Sequence, residues 1–239
     1  MASLSWTNLN PKIILETTRK QFFNRYCYKL VIVAYGSRVL HNDVPVVEAL
    51  ANRISRVQYN QGGSWKFDRF DDLDEADSAL LEELRSIKNG HDNSIKMRVE
   101  EPWVQIYADN EQKLMDIALR FNTAGRAQLL SISSPWDSEQ LALLEQGHIL
   151  SKLSSKLEFK YKIVLRDGSY SAATKAQVAT YLNGLGSEVK VTKSSMRMLT
   201  SELSFIWGCF FYTNDPGIAT MLRLIAPGMV GKIHEIVKV

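Results

Sequence analysis

The chain has 239 residues, 45% apolar and 23% charged, a balance that supports a hydrophobic core and excludes disordered and fibrous classes. Its longest apolar stretch, Phe205 to Tyr212, is far short of the roughly 18–20 residues that span a bilayer, and Met1 to Asn10 lacks a basic-then-apolar secretory pattern, so a cytoplasmic protein with no membrane partner is expected. The net charge of +3 is uneven: residues 1–135 hold 17 Lys/Arg against 17 Asp/Glu, and residues 136–239 hold 12 against 9.

Asn10-Pro11 suits a helix cap and first helical position, and Ile13, Ile14, Thr17 and Phe22 follow at helical spacing, which predicts an N-terminal helix within residues 1–25. A strand from Tyr26 to Ala34 comes next. After Gly36, the spacing of Val46, Val47, Leu50, Ala51 and Ile54 predicts a helix over Val44 to Val57. Beyond Gly62-Gly63, an acidic helix over Asp71 to Ile87 carries an apolar stripe of Leu73, Ala76, Leu80, Leu81 and Leu84 that must be buried somewhere. The strands Ile95 to Glu100 and Trp103 to Ala108 flank Pro102. Asp109-Asn110 then opens a helix with Leu114, Met115, Ile117, Ala118 and Phe121 on one side, and the strand Gln128 to Ser133 closes the set. Residues 26–135 therefore read β-α-(α)-β-β-α-β.

Pro135-Trp136-Asp137 opens a connecting helix within residues 136–157. Residues 158–239 then give a strand from Phe159 to Leu165, a helix from Ala172 to Leu185, strands over Glu188 to Thr192 and Phe205 to Thr213, a helix from Ile218 to Ile225 and a last strand from Lys232 to Val237. The order is again β-α-β-β-α-β. An aromatic-Lys-apolar strand start occurs in both halves, Tyr28-Lys29-Leu30 and Tyr161-Lys162-Ile163, as does an aromatic strand before the second helix, Trp103 to Asp109 and Phe210 to Asp215. Tyr28 to Tyr107 is 79 residues and Tyr161 to Tyr212 is 51, so the first copy is longer by 28, the length of the segment Gly62 to Asn89. This agreement points to an internal duplication with a helical insertion at about 62–89.

The β-α-β-β-α-β order resembles the ferredoxin-like split β-α-β fold, which is also the plan of RNA-recognition motifs. The expected class is α+β: two tandem ferredoxin-like, RRM-like lobes, residues 26–135 and 158–239, with an extra helix in the first.

In that plan the helices pack on one sheet face and strand residues alternate between the two faces. Phe159, Tyr161, Ile163 and Leu165 take the helix-side parity, and Lys160, Lys162 and Arg166 the other. The expected helix-free faces carry Lys29, Trp103 and Tyr107 in the first copy and Lys162, Lys190, Phe210 and Tyr212 in the second. Rings beside cations are what single-stranded nucleic acid needs, because bases stack and phosphates are anionic. The competing expectation is that the same rings pack inside the molecule. Missing from the third strand is the basic-Gly-aromatic-Gly/Ala-aromatic string of RNA-recognition motifs; Trp207-Gly208-Cys209-Phe210-Phe211-Tyr212 has only a glycine and aromatics in loose register.

Other chemistry has less support. Cys27 and Cys209 lie in apolar strand patterns and are expected as buried thiols. The run Asp68, Asp71, Asp72, Asp74, Glu75, Asp77 lacks calcium-loop spacing and reads as a helix start complementing the dipole. His41, His91, His148 and His234 are isolated, and no nucleophile elbow, phosphate loop or dinucleotide fingerprint occurs. No catalytic residue, metal or cofactor is expected. The first reading is a non-enzymatic binder of single-stranded nucleic acid, RNA favoured. A second is a viral or mobile-element assembly protein that self-associates as a homo-oligomer through open sheet edges. A third is a metal-independent RNA endonuclease similar to CRISPR repeat-processing proteins, which also pair two ferredoxin-like lobes; their glycine-rich loop near the C-terminus has only Pro227-Gly228-Met229-Val230-Gly231 to match it.

Overall fold

The computed structural model describes residues 5–41, 44–49, 75–90, 92–100, 102–123, 128–153 and 158–239. Most of the expected helix Val44 to Val57, the glycine pair at 62–63, the acidic residues Asp68 to Asp74 and His91 lie outside them. The chain is a mixed α+β protein of two compact units, residues 1–141 and 142–239; the connecting helix expected within residues 136–157 is shorter, Ser138–Glu145, and Ile149–Ser151, expected as part of it, is a strand.

The first unit is built on a five-stranded sheet in the order β1-β5-β2-β4-β3, with β1 Ile14–Thr17, β2 Tyr28–Val33, β3 Ile95–Glu100, β4 Trp103–Ala108 and β5 Gln128–Ser134. β1 runs parallel to β5 and the other pairs are antiparallel. Leu30 and Ile32 of β2 and Val104 and Ile106 of β4 are fully buried toward the helix Glu111–Thr123, whose Leu114, Ala118 and Phe121 are equally buried. The helix Glu75–Asn89 buries Leu80, Leu81 and Leu84, as its stripe requires, and its Glu82 side chain accepts the backbone N–H of Val46 at 2.9 Å.

The N-terminal helix expected within residues 1–25 is corrected. After a four-residue helix Trp6–Leu9, Ile14–Thr17 forms β1, and a turn around Phe22–Tyr26 leads into β2. The β-branched pairs Ile13-Ile14 and Thr17-Thr18 favour extended backbone over the helix that spacing alone implied.

The second unit has a five-stranded sheet in the order β6-β12-β7-β11-β9, with β6 Ile149–Ser151, β7 Tyr161–Leu165, β9 Val189–Val191, β11 Phe210–Thr213 and β12 Val230–Lys238; Gly168–Ser169 (β8) and Phe205–Ile206 (β10) pair separately. β6 runs parallel to β12 and the remaining pairs are antiparallel. Ile163, Leu165, Val189 and Phe211 form one core with Val178, Ala179 and Leu182 of helix Ala172–Gly184 and Ile218, Ala219 and Leu222 of helix Gly217–Ile225. The single strand expected over Phe205 to Thr213 is two, and an unforeseen helix, Lys193–Thr200, precedes them. Thr192 starts that helix, its hydroxyl accepting the Ser195 backbone N–H at 3.1 Å.

Candidate nucleic-acid interface

With the helices on one face of each sheet, strand register decides what the other face carries. In the second unit Tyr212 is paired with Lys162 on β7 and with Lys190 on β9, so one row across three strands reads Lys162, Tyr212, Lys190. Phe211, next to Tyr212 in sequence, points into the core and is fully buried. Phe210 lies two residues from Tyr212 on the open face, with its ring edge-on to Tyr212 at 5.5 Å and the Lys162 ammonium 3.7 Å from its centroid. Lys190 is exposed, while Lys162, Phe210 and Tyr212 are half-buried. Desolvation raises the Tyr212 phenol above its ordinary value, so its hydroxyl stays neutral at physiological pH. His234 is the β12 partner of Lys162, and its Nδ1 is 2.8 Å from the Gly147 carbonyl oxygen.

Phe159 departs from its expected place. Its residue parity assigned it to the helix side, but it precedes β7, where strict alternation does not apply, and its ring stacks on Tyr212 with centroids 6.5 Å apart and planes 24° from parallel. The open face therefore has three rings, Phe159, Tyr212 and Phe210, beside two lysines.

The first unit repeats the row. Tyr107 is paired with Lys29 on β2 and with Lys96 on β3, giving Lys29, Tyr107, Lys96. Lys96 escaped the sequence reading, although it alternates with Arg98 along β3 and so shares its face. This row is covered, which corrects the expectation for Tyr107. Tyr107 is only 4% exposed, because Phe22 and Phe23 lie on it with ring centroids 5.3 and 4.9 Å away. The Lys29 ammonium lies 5.4 Å from the Phe22 centroid and 3.4 Å from a Glu16 carboxylate oxygen, and the Lys96 ammonium lies 4.5 Å from the Phe23 centroid. Burial also raises the Tyr107 phenol, whose hydroxyl donates to Gln105 Oε1. Trp103, four pairs along β4 and 48% exposed, remains at the margin of that face.

Among the described residues no group of three His, Cys, Asp or Glu side chains is placed to hold a metal ion, and no helix is long and apolar enough to cross a membrane. No family model, no curated protein and no solved structure matches the chain.

Proposed function

We propose that the chain is a non-enzymatic nucleic-acid-binding protein whose second unit takes a single strand, RNA in preference to DNA, on the row Lys162–Tyr212–Lys190 with Phe210 and Phe159. The observation that carries this reading is the register that sets one tyrosine between two lysines on the face away from the helices. A base stacked on such a ring contributes roughly 1–3 kcal/mol, and the flanking ammonium groups take phosphates. The two sheets have the same strand order once β1 is matched to β6 and β5 to β12, which supports two tandem ferredoxin-like lobes from a duplication, each extended by a parallel edge strand. That plan resembles the RNA-recognition motif, whose sheet face reads unpaired bases, hence the preference for RNA.

The test is anisotropy of labelled oligouridylate and oligothymidylate against the full chain over a salt series. Binding that weakens steeply with salt, tighter for the ribose strand, supports the reading; no binding at about 50 mM salt refutes it. Product bands on a denaturing gel from the same mixtures would favour the endonuclease instead.

A self-associating assembly protein is a second reading, favoured by β1. This edge strand has all four side chains exposed, with Ile14 55% and Leu15 62% accessible, and such an edge can pair with a neighbouring chain. Light scattering that reports growing mass with concentration supports it, and a constant monomer mass excludes it.

A further inference from the structure

The cover over the first unit's row puts rings and a carboxylate at the positions where the ligand proposed for the second would put bases and a phosphate. Two consecutive rings, Phe22 tilted by 52° and Phe23 edge-on at 88°, lie against Tyr107 and cover the ring that a base would use. A carboxylate, Glu16, sits on Lys29 where a phosphate would, held also by the Ser133 hydroxyl, which donates to it at 2.6 Å. Each lysine of the row faces one ring of the cover.

The cover is anchored at its two ends, by the Thr18 N–H on the Ser134 carbonyl at 2.8 Å and by the buried Tyr26, whose hydroxyl donates to the Asn93 carbonyl at 3.1 Å, so the turn between them is the part that can be displaced. Its turn closes with Phe22 N–H to Tyr26 O at 2.8 Å and Tyr26 N–H to Phe22 O at 3.0 Å, and within it Phe23 and Asn24 have φ of +52° and +56°. That region is unfavourable for a bulky L-residue such as Phe23, and non-glycine outliers of this kind recur where a segment has to switch. The Phe23 ring is still 48% exposed, and β1, which delivers the turn, exposes all its side chains. What opposes its release is chiefly the burial of Tyr107 beneath the two rings. The second unit has no matching aromatic pair in sequence: aligning Lys29 with Lys162 sets Ser155-Lys156 against Phe22-Phe23.

We infer that Lys29–Tyr107–Lys96 is a second single-strand site, of the same chemistry as the first, closed by the Phe22–Phe23 turn and opened when that turn is displaced. The inference rests on the proposed nucleic-acid reading of the second unit, and it adds a site whose availability the chain itself controls. Displacing the turn exposes the Tyr107 ring and turns Lys29 and Lys96 from aromatic faces toward phosphates.

The experiment counts bound strands. Equilibrium dialysis of a labelled uridine tetranucleotide, too short to serve two sites at once, is run on the wild-type chain and on Phe22→Ala/Phe23→Ala. The expected stoichiometry rises from one strand per chain to two, and adding Lys96→Glu returns it to one. A count that stays at one in the folded double variant overturns the inference. Should the double variant lose its melting transition, Phe23→Gly replaces it: glycine suits the positive φ and removes the ring that faces Lys96, so a second site is again expected and its absence again overturns the inference. The two readings fail separately. A wild-type chain that binds nothing sinks the second-unit site, while binding by the uncovered variant alone leaves the covered site standing; silence from both sinks both.

Discussion

Lys175 offers the sharpest test of how the second unit is held together. Its side chain is wholly buried, at 0% exposure, and its ammonium donates to the Ser201 and Leu203 carbonyl oxygens at 2.5 Å, with Met198 O and Ser201 Oγ at 3.4 Å. These oxygens stand at the C-terminal end of helix Lys193–Thr200 and in the turn leading to β10, where helix carbonyls lack the next intrahelical N–H and a cation is favoured. Lys175→Met keeps most of the buried methylene volume and removes only the donor. Two hydrogen bonds to a charged group, each about 1.5–3 kcal/mol, are lost, and relief of the ammonium's desolvation returns part of that, so the expected cost is about 2–4 kcal/mol. In a unit of this size about 1 kcal/mol moves the melting temperature by roughly 4–8 °C, which gives a fall on the order of 10–25 °C. The assay is urea unfolding followed by far-ultraviolet circular dichroism, with Trp207, the one tryptophan of residues 142–239, as a local fluorescence reporter. A loss below about 1 kcal/mol refutes the reasoning, because the carbonyls would then find other donors at no cost.

Three further outcomes are expected. Lys190→Ala reduces the slope of log affinity against log salt by about 0.7, the share of one phosphate on a single strand; an unchanged slope removes Lys190 from the interface. Tyr212→Ala costs roughly 1–3 kcal/mol of binding and leaves the salt slope unchanged; if it unfolds the unit, the ring serves the core. Cys27 and Cys209 are buried, and desolvation raises the Cys209 thiol above its ordinary value, so the native chain at neutral pH presents no fast-reacting thiol to an aromatic disulfide reagent and the unfolded chain presents two. A fast-reacting thiol in the native chain contradicts this placement.

The strand alternation of β7, β11 and β4 was legible because each has buried apolar residues at every second position, and that parity put Lys162, Phe210 and Tyr212 on one face and Lys29 with Tyr107 on another. Where pattern gave way to local chemistry, the reading failed. Ile14 and Thr17 fit helical spacing and lie in a strand. Lys175 keeps the helical period of Val178, Ala179 and Leu182, yet a lysine at a core position reads as a surface residue until its carbonyl partners are known. The spacing comparison assumed a single insertion, and the strands divide the difference otherwise. Lys29 to Lys96 spans 67 residues against 28 for Lys162 to Lys190, an excess of 39. Lys96 to Tyr107 spans 11 against 22 for Lys190 to Tyr212, because helix Lys193–Thr200 intervenes. The net difference of 28 equals the length of the segment Gly62 to Asn89, although two changes of opposite sign produce it.

The two rows also show why a face cannot be assigned from its own strands. Lys29–Tyr107–Lys96 and Lys162–Tyr212–Lys190 occupy the same register positions in sheets of the same strand order, yet Tyr107 is buried and Tyr212 is half-exposed. The difference comes from the segment that enters each sheet: one brings Phe22 and Phe23 over its tyrosine, the other a single ring, Phe159, that stacks on Tyr212. Strand alternation says which way a side chain points; whether solvent or a ligand reaches it depends on chain before the strand, whose turn at Phe23 and Asn24 adopts positive φ that no apolar pattern announces. The same aromatic chemistry that suits a base suits a phenylalanine. A row whose chemistry suits stacked rings is therefore also a surface that a neighbouring turn of its own chain can close.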